Sequence, residues 1–132
     1  MSVVVDSSVV VAALVDSGRH GKWAEEILAS GLLLAPELVR AEATNVFRRL
    51  ERAKLITTPE ANAAQGDLMQ LDVEVFPFEP FADRIWELRY NVTSYDGWYV
   101  AIAEALKVPL ATLDAPLSRS NGVTCKFLTP GF

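Results

Sequence analysis

The stretch Val3-Val4-Val5-Asp6-Ser7-Ser8 decides the fold. Three consecutive β-branched residues without polar alternation read as a strand buried on both faces, as in a parallel sheet covered by helices. An acid closes the run, and an apolar helical segment, Ser7–Val15, follows it. A second stretch repeats this arrangement: Leu110-Ala111-Thr112-Leu113 is a short apolar run ending on Asp114. Ligands of open parallel sheets gather beyond the carboxyl ends of the strands. Two acids at two such ends therefore point to a site. Taken singly, each is as compatible with capping the helix that follows.

Between these two ends, short apolar runs alternate with stretches of helical period, which predicts an α/β fold. Strands are expected at residues 3–5, 32–35, 73–78, 110–113 and 125–128. Helices are expected over Ser7–Val15, over 23–29 with a stop near Gly31, and from Pro36 onward in the longest segment. Further helices follow at 58–71, with Thr58 as cap, at 80–90, and from Ser94–Asp96 to Lys107. Helical crossovers imply a mainly parallel sheet covered on both faces. No repeat or linker interrupts the 132 residues, so one domain over 1–132 is expected.

Composition narrows the function classes. The chain is 51% hydrophobic and 22% charged, as globular domains are. Its one cysteine, Cys125, excludes an internal disulfide and is expected as a small buried residue of the last strand. With no basic segment before the N-terminal apolar run, and Asp6 interrupting it, a soluble cytoplasmic protein without a membrane span is expected. A net charge of −5 argues against a general polyanion binder, unless bases gather on one face or an acidic cluster takes up a cation. Both features are visible. Arg48, Arg49, Arg52 and Lys54 end the long helix, where they also suit a solvated C-terminal turn.

Two further acids complete the candidate set. Glu42 borders the apolar stripe Val39, Ala43, Val46, Phe47 and Leu50, with Asn45 and Arg49 on its own side of the helix. Asp96 opens a helix rich in small residues (Gly97, Ala101, Ala103) that lets it lie close to a sheet. If Asp6, Glu42, Asp96 and Asp114 converge, like charges within ~4–6 Å raise one another's pKa. A divalent cation relieves that conflict, and an all-oxygen donor set favours Mg²⁺ or Mn²⁺. His20 is the only histidine, so neither a His/Cys zinc site nor a serine triad can be assembled. Metal-assisted phosphoryl transfer is the chemistry left.

At these residues the chain resembles the PIN-domain nucleases, and among them the toxins of VapBC-type toxin–antitoxin pairs. The similar segments are residues 3–8, 36–45, 89–104 and 110–117, in the family's order, with Gly97 where the family usually has alanine. The resemblance implies a three-layer sandwich with a 3-2-1-4-5 sheet, a homodimer, and Mg²⁺- or Mn²⁺-dependent endonuclease action on RNA. It also implies an antitoxin partner. Asp6, Glu42, Asp96 and Asp114 stand at the metal-binding positions, and Ser8, Asn45 and Thr112 at positions lining the same site.

Other readings fit less well. A receiver domain wants paired acids after the first strand and a lysine ending the last. A haloacid-dehalogenase-type hydrolase wants a second Asp where Ser8 stands. A non-catalytic RNA- or protein-binding module is the alternative from another class. Trp86, Trp98 and Tyr99 read as core or interface more readily than as base-stacking groups, and Arg89, Asn91 and Thr93 as residues that shape the loop before Asp96.

Overall fold

Val3, Val4 and Val5 have no solvent exposure, so the strand they form is covered on both faces. Burying each contributes on the order of 1.5–3 kcal/mol. A computed structural model describes all of residues 1–132. In chain order the elements are β1 (Ser2–Val5), α1 (Ser7–Val15), α2 (Arg19–Leu28), β2 (Leu32–Pro36), α3 (Val39–Arg52), α4 (Thr58–Gln70) and β3 (Val73–Phe76). A 3-10 turn (Glu79–Phe81) leads to α5 (Ala82–Glu87), α6 (Ser94–Leu106), β4 (Leu110–Ala111), α7 (Ala115–Ser118) and β5 (Phe127–Leu128).

The five strands run parallel in the order β3-β2-β1-β4-β5, as expected. β1 is central and pairs Val5 with Ala111 of β4, which brings the residues after both strands side by side. α6 lies against β1, β2 and β4, while α1, α2, α3 and α4 pack on one another. No helix is long and apolar enough to cross a membrane.

Several boundaries differ from the sequence expectation. Pro36 does not open α3: it ends β2, paired with Phe76, and α3 begins at Val39 after a turn. The residue before a proline is pushed toward extended backbone, which carries the strand through Ala35. Thr57, not Thr58, caps α4. Its Oγ1 accepts from Glu60 N at 3.2 Å while Glu60 Oε1 accepts from Thr57 N at 2.8 Å, a reciprocal box that needs three-residue spacing. The expected helix at 80–90 is a 3-10 turn and six helical residues, and β3 stops at Phe76 rather than residue 78.

The strand expected over 110–113 ends at Ala111. Thr112 N still donates to the Leu128 carbonyl at 3.0 Å, but beyond it side-chain hydroxyls take the backbone donors, Ser8 Oγ accepting from Leu113 N and Thr112 Oγ1 from Asp114 N. The short α7 after Asp114 was not foreseen. Cys125 is half-buried and precedes β5 rather than lying in it. α2 starts four residues before the expected Trp23, because Gly21 lets it press on the end of α1; a Cβ there would collide with the Asp16 carbonyl.

Candidate active site

Asp6 follows β1 and Asp114 follows β4, two neighbouring strand ends. Asp6 occupies the N-cap position of α1, yet its side chain makes no capping bond. Its Oδ2 instead accepts from Thr112 Oγ1 at 2.7 Å and from Ser8 Oγ at 3.0 Å. Each hydroxyl also accepts a backbone N–H, from Asp114 and Leu113 respectively, so its single proton is left for Asp6. Asp114 does cap: its Oδ1 accepts from Leu117 N at 3.0 Å. The capping alternative is thus answered differently for the two acids.

Glu42 comes from the first turn of α3 and Asp96 from the first turn of α6. Thr93 caps α6 through Asp96 N, which frees the Asp96 carboxyl from that task. The buried Tyr99, one turn along α6, donates its hydroxyl to Glu42 Oε1 at 2.6 Å.

All four acids line one open cavity of about 490 Å³, with Ser7, Ser8, Asp16 and the apolar Val11, Ala12, Val15 and Val46. No basic residue lines it, and the chain's ion pairs, Arg84 with Glu104 and Glu87, lie elsewhere. The electrostatic consequence is plain. Burial raises the Asp6 carboxyl above its usual range, against the pull of Thr112 and Ser8, and Asp114 adds to the rise. Burial likewise raises Glu42, partly offset by Tyr99, with a contribution from Asp6. Asp96 is pushed up to about 6, first by burial, then by the charges of Asp6, Asp114 and Glu42.

Mutual charge with no cationic residue to relieve it, and oxygen donors only, fit a hard divalent cation. As the side chains stand, no three of them gather closely enough to hold one ion together. Asp114 Oδ1 is engaged by Leu117 N, and Glu42 Oε1 by the Tyr99 hydroxyl.

The remaining expected residues divide. Ser8 lines the cavity, and Thr112 is fully buried beneath Asp6. Asn45 and Arg49 are exposed on α3 outside the lining, Asn45 accepting a long 3.5 Å bond from Arg48. His20 is not in the lining either. Sequence reasoning missed Asp16, whose Oδ1 accepts from Gly18 N, and the tyrosine on Glu42. Tyr99 stands three residues after Asp96, on the same side of its helix, and that spacing was the available signal.

The PIN domain matches residues 3–122. Ribonuclease VapC1 of Mycobacterium tuberculosis is 39% identical over 128 residues, covering 92% of this chain and 96% of that protein. Two solved structures share the architecture. VapC20 of Mycobacterium tuberculosis, described as a Sarcin-Ricin loop cleaving toxin, superposes with a TM-score of 0.67 at 18% identity, over 92% of this chain and 96% of that one. VapBC2 of Rickettsia felis, bound to a DNA fragment from its promoter, gives 0.67 at 15% identity, over 98% of both. The acids at the sheet's carboxyl edge, the 3-2-1-4-5 order and these likenesses agree: the chain belongs to the PIN-domain family.

Proposed function

We propose that the chain is the toxin of a toxin–antitoxin pair, an endoribonuclease that hydrolyses RNA phosphodiester bonds with Mg²⁺ or Mn²⁺ held by Asp6, Glu42, Asp96 and Asp114. The observation that carries this reading is one cavity lined by Asp6, Glu42, Asp96 and Asp114, from four separate parts of the fold, with Asp16 beside them and no basic side chain. When bound, a divalent cation supplies an acidified water and offsets charge on the phosphate.

The chain's own residues supply orientation. Ser8 and Thr112 fix the Asp6 carboxylate, and Tyr99 fixes Glu42. Partners of this kind govern how well carboxylates serve a metal. Val11, Val15 and Val46 give the cavity an apolar side. Asn45 and Arg49, further along α3, are proposed to meet the RNA backbone as it leaves.

An antitoxin partner is supported by neighbours such as VapBC2, and a homodimer acting in the cytoplasm belongs to the same reading, carried by the family resemblance. Incubating purified protein with mixed cellular RNA, in Mg²⁺ or Mn²⁺ and in EDTA beside an Asp96→Asn control, tests it. Fragments that need the metal and vanish in the control are expected. Intact RNA throughout, with any copurified antitoxin removed, favours a non-catalytic binding module.

A further inference from the structure

A second cavity of about 480 Å³ adjoins the carboxylate cavity, sharing Asp96 and Asp114 as its near wall. Its far wall carries Arg89, Tyr90 and Asn91, from the turn between α5 and α6. The Arg89 guanidinium carbon lies 4.3 Å from the centroid of the Trp86 ring and 4.4 Å from that of Tyr90. Nη1 donates to the Trp86 carbonyl at 2.8 Å and Nη2 to the Tyr90 hydroxyl at 3.2 Å. Of the five N–H donors an arginine carries, three are therefore left without a partner in the protein, and no carboxylate pairs with it.

Two aromatic rings and two hydrogen bonds thus place a cation on the rim of an acidic site. Tyr90 is 82% exposed and Trp86 66%. Nothing in the packing of the core calls for such exposure, which leaves ring faces open to solvent. A guanidinium with spare donors grips phosphate, and exposed aromatic faces stack bases without regard to sequence. Phosphate and base occur together in a nucleotide. The Asn91 side chain, seated over Gly122, makes no hydrogen bond within the chain and faces the same cavity.

Resting on the ribonuclease reading, we propose that this second cavity seats the RNA nucleotide next to the scissile phosphate, its phosphate on Arg89 and its base stacked on Tyr90. The unpaired Arg89 cation in a cavity continuous with Asp96 and Asp114 is the observation that carries it. Arg89, Tyr90 and Trp86 are positioning residues in this account: they hold the strand in register while the acids act.

The test measures equilibrium binding of a labelled, mixed-sequence, single-stranded oligoribonucleotide to an Asp6→Asn protein, alone and with Arg89→Ala, Arg89→Lys, Tyr90→Ala or Tyr90→Phe. Cleavage by the same four variants in the otherwise native chain is followed in parallel. Arg89→Ala is expected to weaken binding about tenfold and to make the salt dependence shallower by about one phosphate's share, with Arg89→Lys restoring part of both. Tyr90→Ala is expected to weaken binding about fivefold or more, Tyr90→Phe little. In cleavage, KM rises while kcat is largely kept. Unchanged affinity and salt slope in folded Arg89→Ala and Tyr90→Ala proteins overturn the proposal. Unchanged RNA affinity together with loss of a coexpressed antitoxin overturns it in favour of a protein-docking surface. If the native chain cleaves no RNA but the Arg89 and Tyr90 effects on binding persist, the nucleotide seat stands and the nuclease reading fails.

Discussion

Thr112 Oγ1 donates to Asp6 Oδ2 across 2.7 Å, tying the residue after β4 to the residue after β1 at the centre of the sheet. Both residues are buried, Thr112 completely. The same Oγ1 accepts from Asp114 N, so one hydroxyl links two of the four acids. Replacing Thr112 with valine keeps the shape and removes this link. Unfolding in urea is expected to show a loss of about 1–3 kcal/mol, the cost of a buried polar partner left unsatisfied. Cleavage is expected to fall at least tenfold, and Thr112→Ser to recover most of both.

Tyr99→Phe removes only the hydroxyl that holds Glu42 Oε1. The ring stays in the core, so the fold is expected to survive. Outer partners of metal-binding groups typically carry 10–100-fold in affinity. A Mn²⁺ titration followed by calorimetry is expected to show weakening in that range.

The acid cluster predicts how stability responds to pH when chelator is present. Asp96 is raised to about 6 in the fold from 3.8, chiefly by burial and then by Asp6, Asp114 and Glu42. Between these values the folded chain binds more protons than the unfolded one, so stability falls as pH rises toward and through 6. Glu104 has the opposite sign. Burial pushes it up, but Arg84 and Thr124 together outweigh this and lower it, so its contribution is lost only as pH falls below its usual range. Melting temperature in EDTA is therefore expected to be higher near pH 5 than at pH 7.5. Asp96→Asn should flatten that slope and raise the value at pH 7.5.

Arg84 grips Glu104 with two hydrogen bonds, Nε to Oε1 at 2.7 Å and Nη2 to Oε2 at 3.1 Å, and reaches the Gly122 carbonyl at 2.8 Å. Glu104 Oε2 also accepts from Thr124 N, so this pair fastens the loop before β5 to α5 and α6. Lysine cannot reproduce the fork. Arg84→Lys is expected to cost about 1–2 kcal/mol in urea unfolding, since the pair is only partly screened by solvent. Faster amide exchange at Thr124, whose N–H donates to Glu104, should accompany it.

Gly97→Ala should stabilise. A Cβ at Gly97 would lie 3.5 Å from Ile85 Cγ2 and 3.6 Å from Val92 Cγ2, ordinary contact distances inside a helix. Relief of backbone entropy is worth roughly 0.5–1 kcal/mol, and thermal unfolding will show it.

The sheet was legible because its strands differ so clearly from what surrounds them: Val3-Val4-Val5 and Leu32–Pro36 have no polar alternation, and two of the site's acids follow strands, Asp6 directly and Asp114 three residues on. Local boundaries were less legible where side chains compete for backbone groups. The hydroxyls of Ser8 and Thr112 shorten β4, and Glu60 selects between two adjacent threonines. Helix spacing placed Glu42, Asn45 and Arg49 on one side of α3, yet only Glu42 lines the cavity; spacing states direction around an axis and not how far the neighbouring α1 reaches. The Tyr99–Glu42 bond spans 57 residues, and such partners become visible only once α3 and α6 are placed in the fold.

The central claim is that Asp6, Glu42, Asp96 and Asp114 act together to cut RNA with a divalent cation. The direct measurement is the cleavage rate of one labelled RNA, chosen from the fragments the native chain produces, by Asp6→Asn, Glu42→Gln, Asp96→Asn and Asp114→Asn in Mn²⁺ and in EDTA. A loss of at least a hundredfold in every variant, with each still folded and the native chain silent in EDTA, is the predicted result. Native rates retained in any two of the variants, or cleavage undiminished by EDTA, would contradict it.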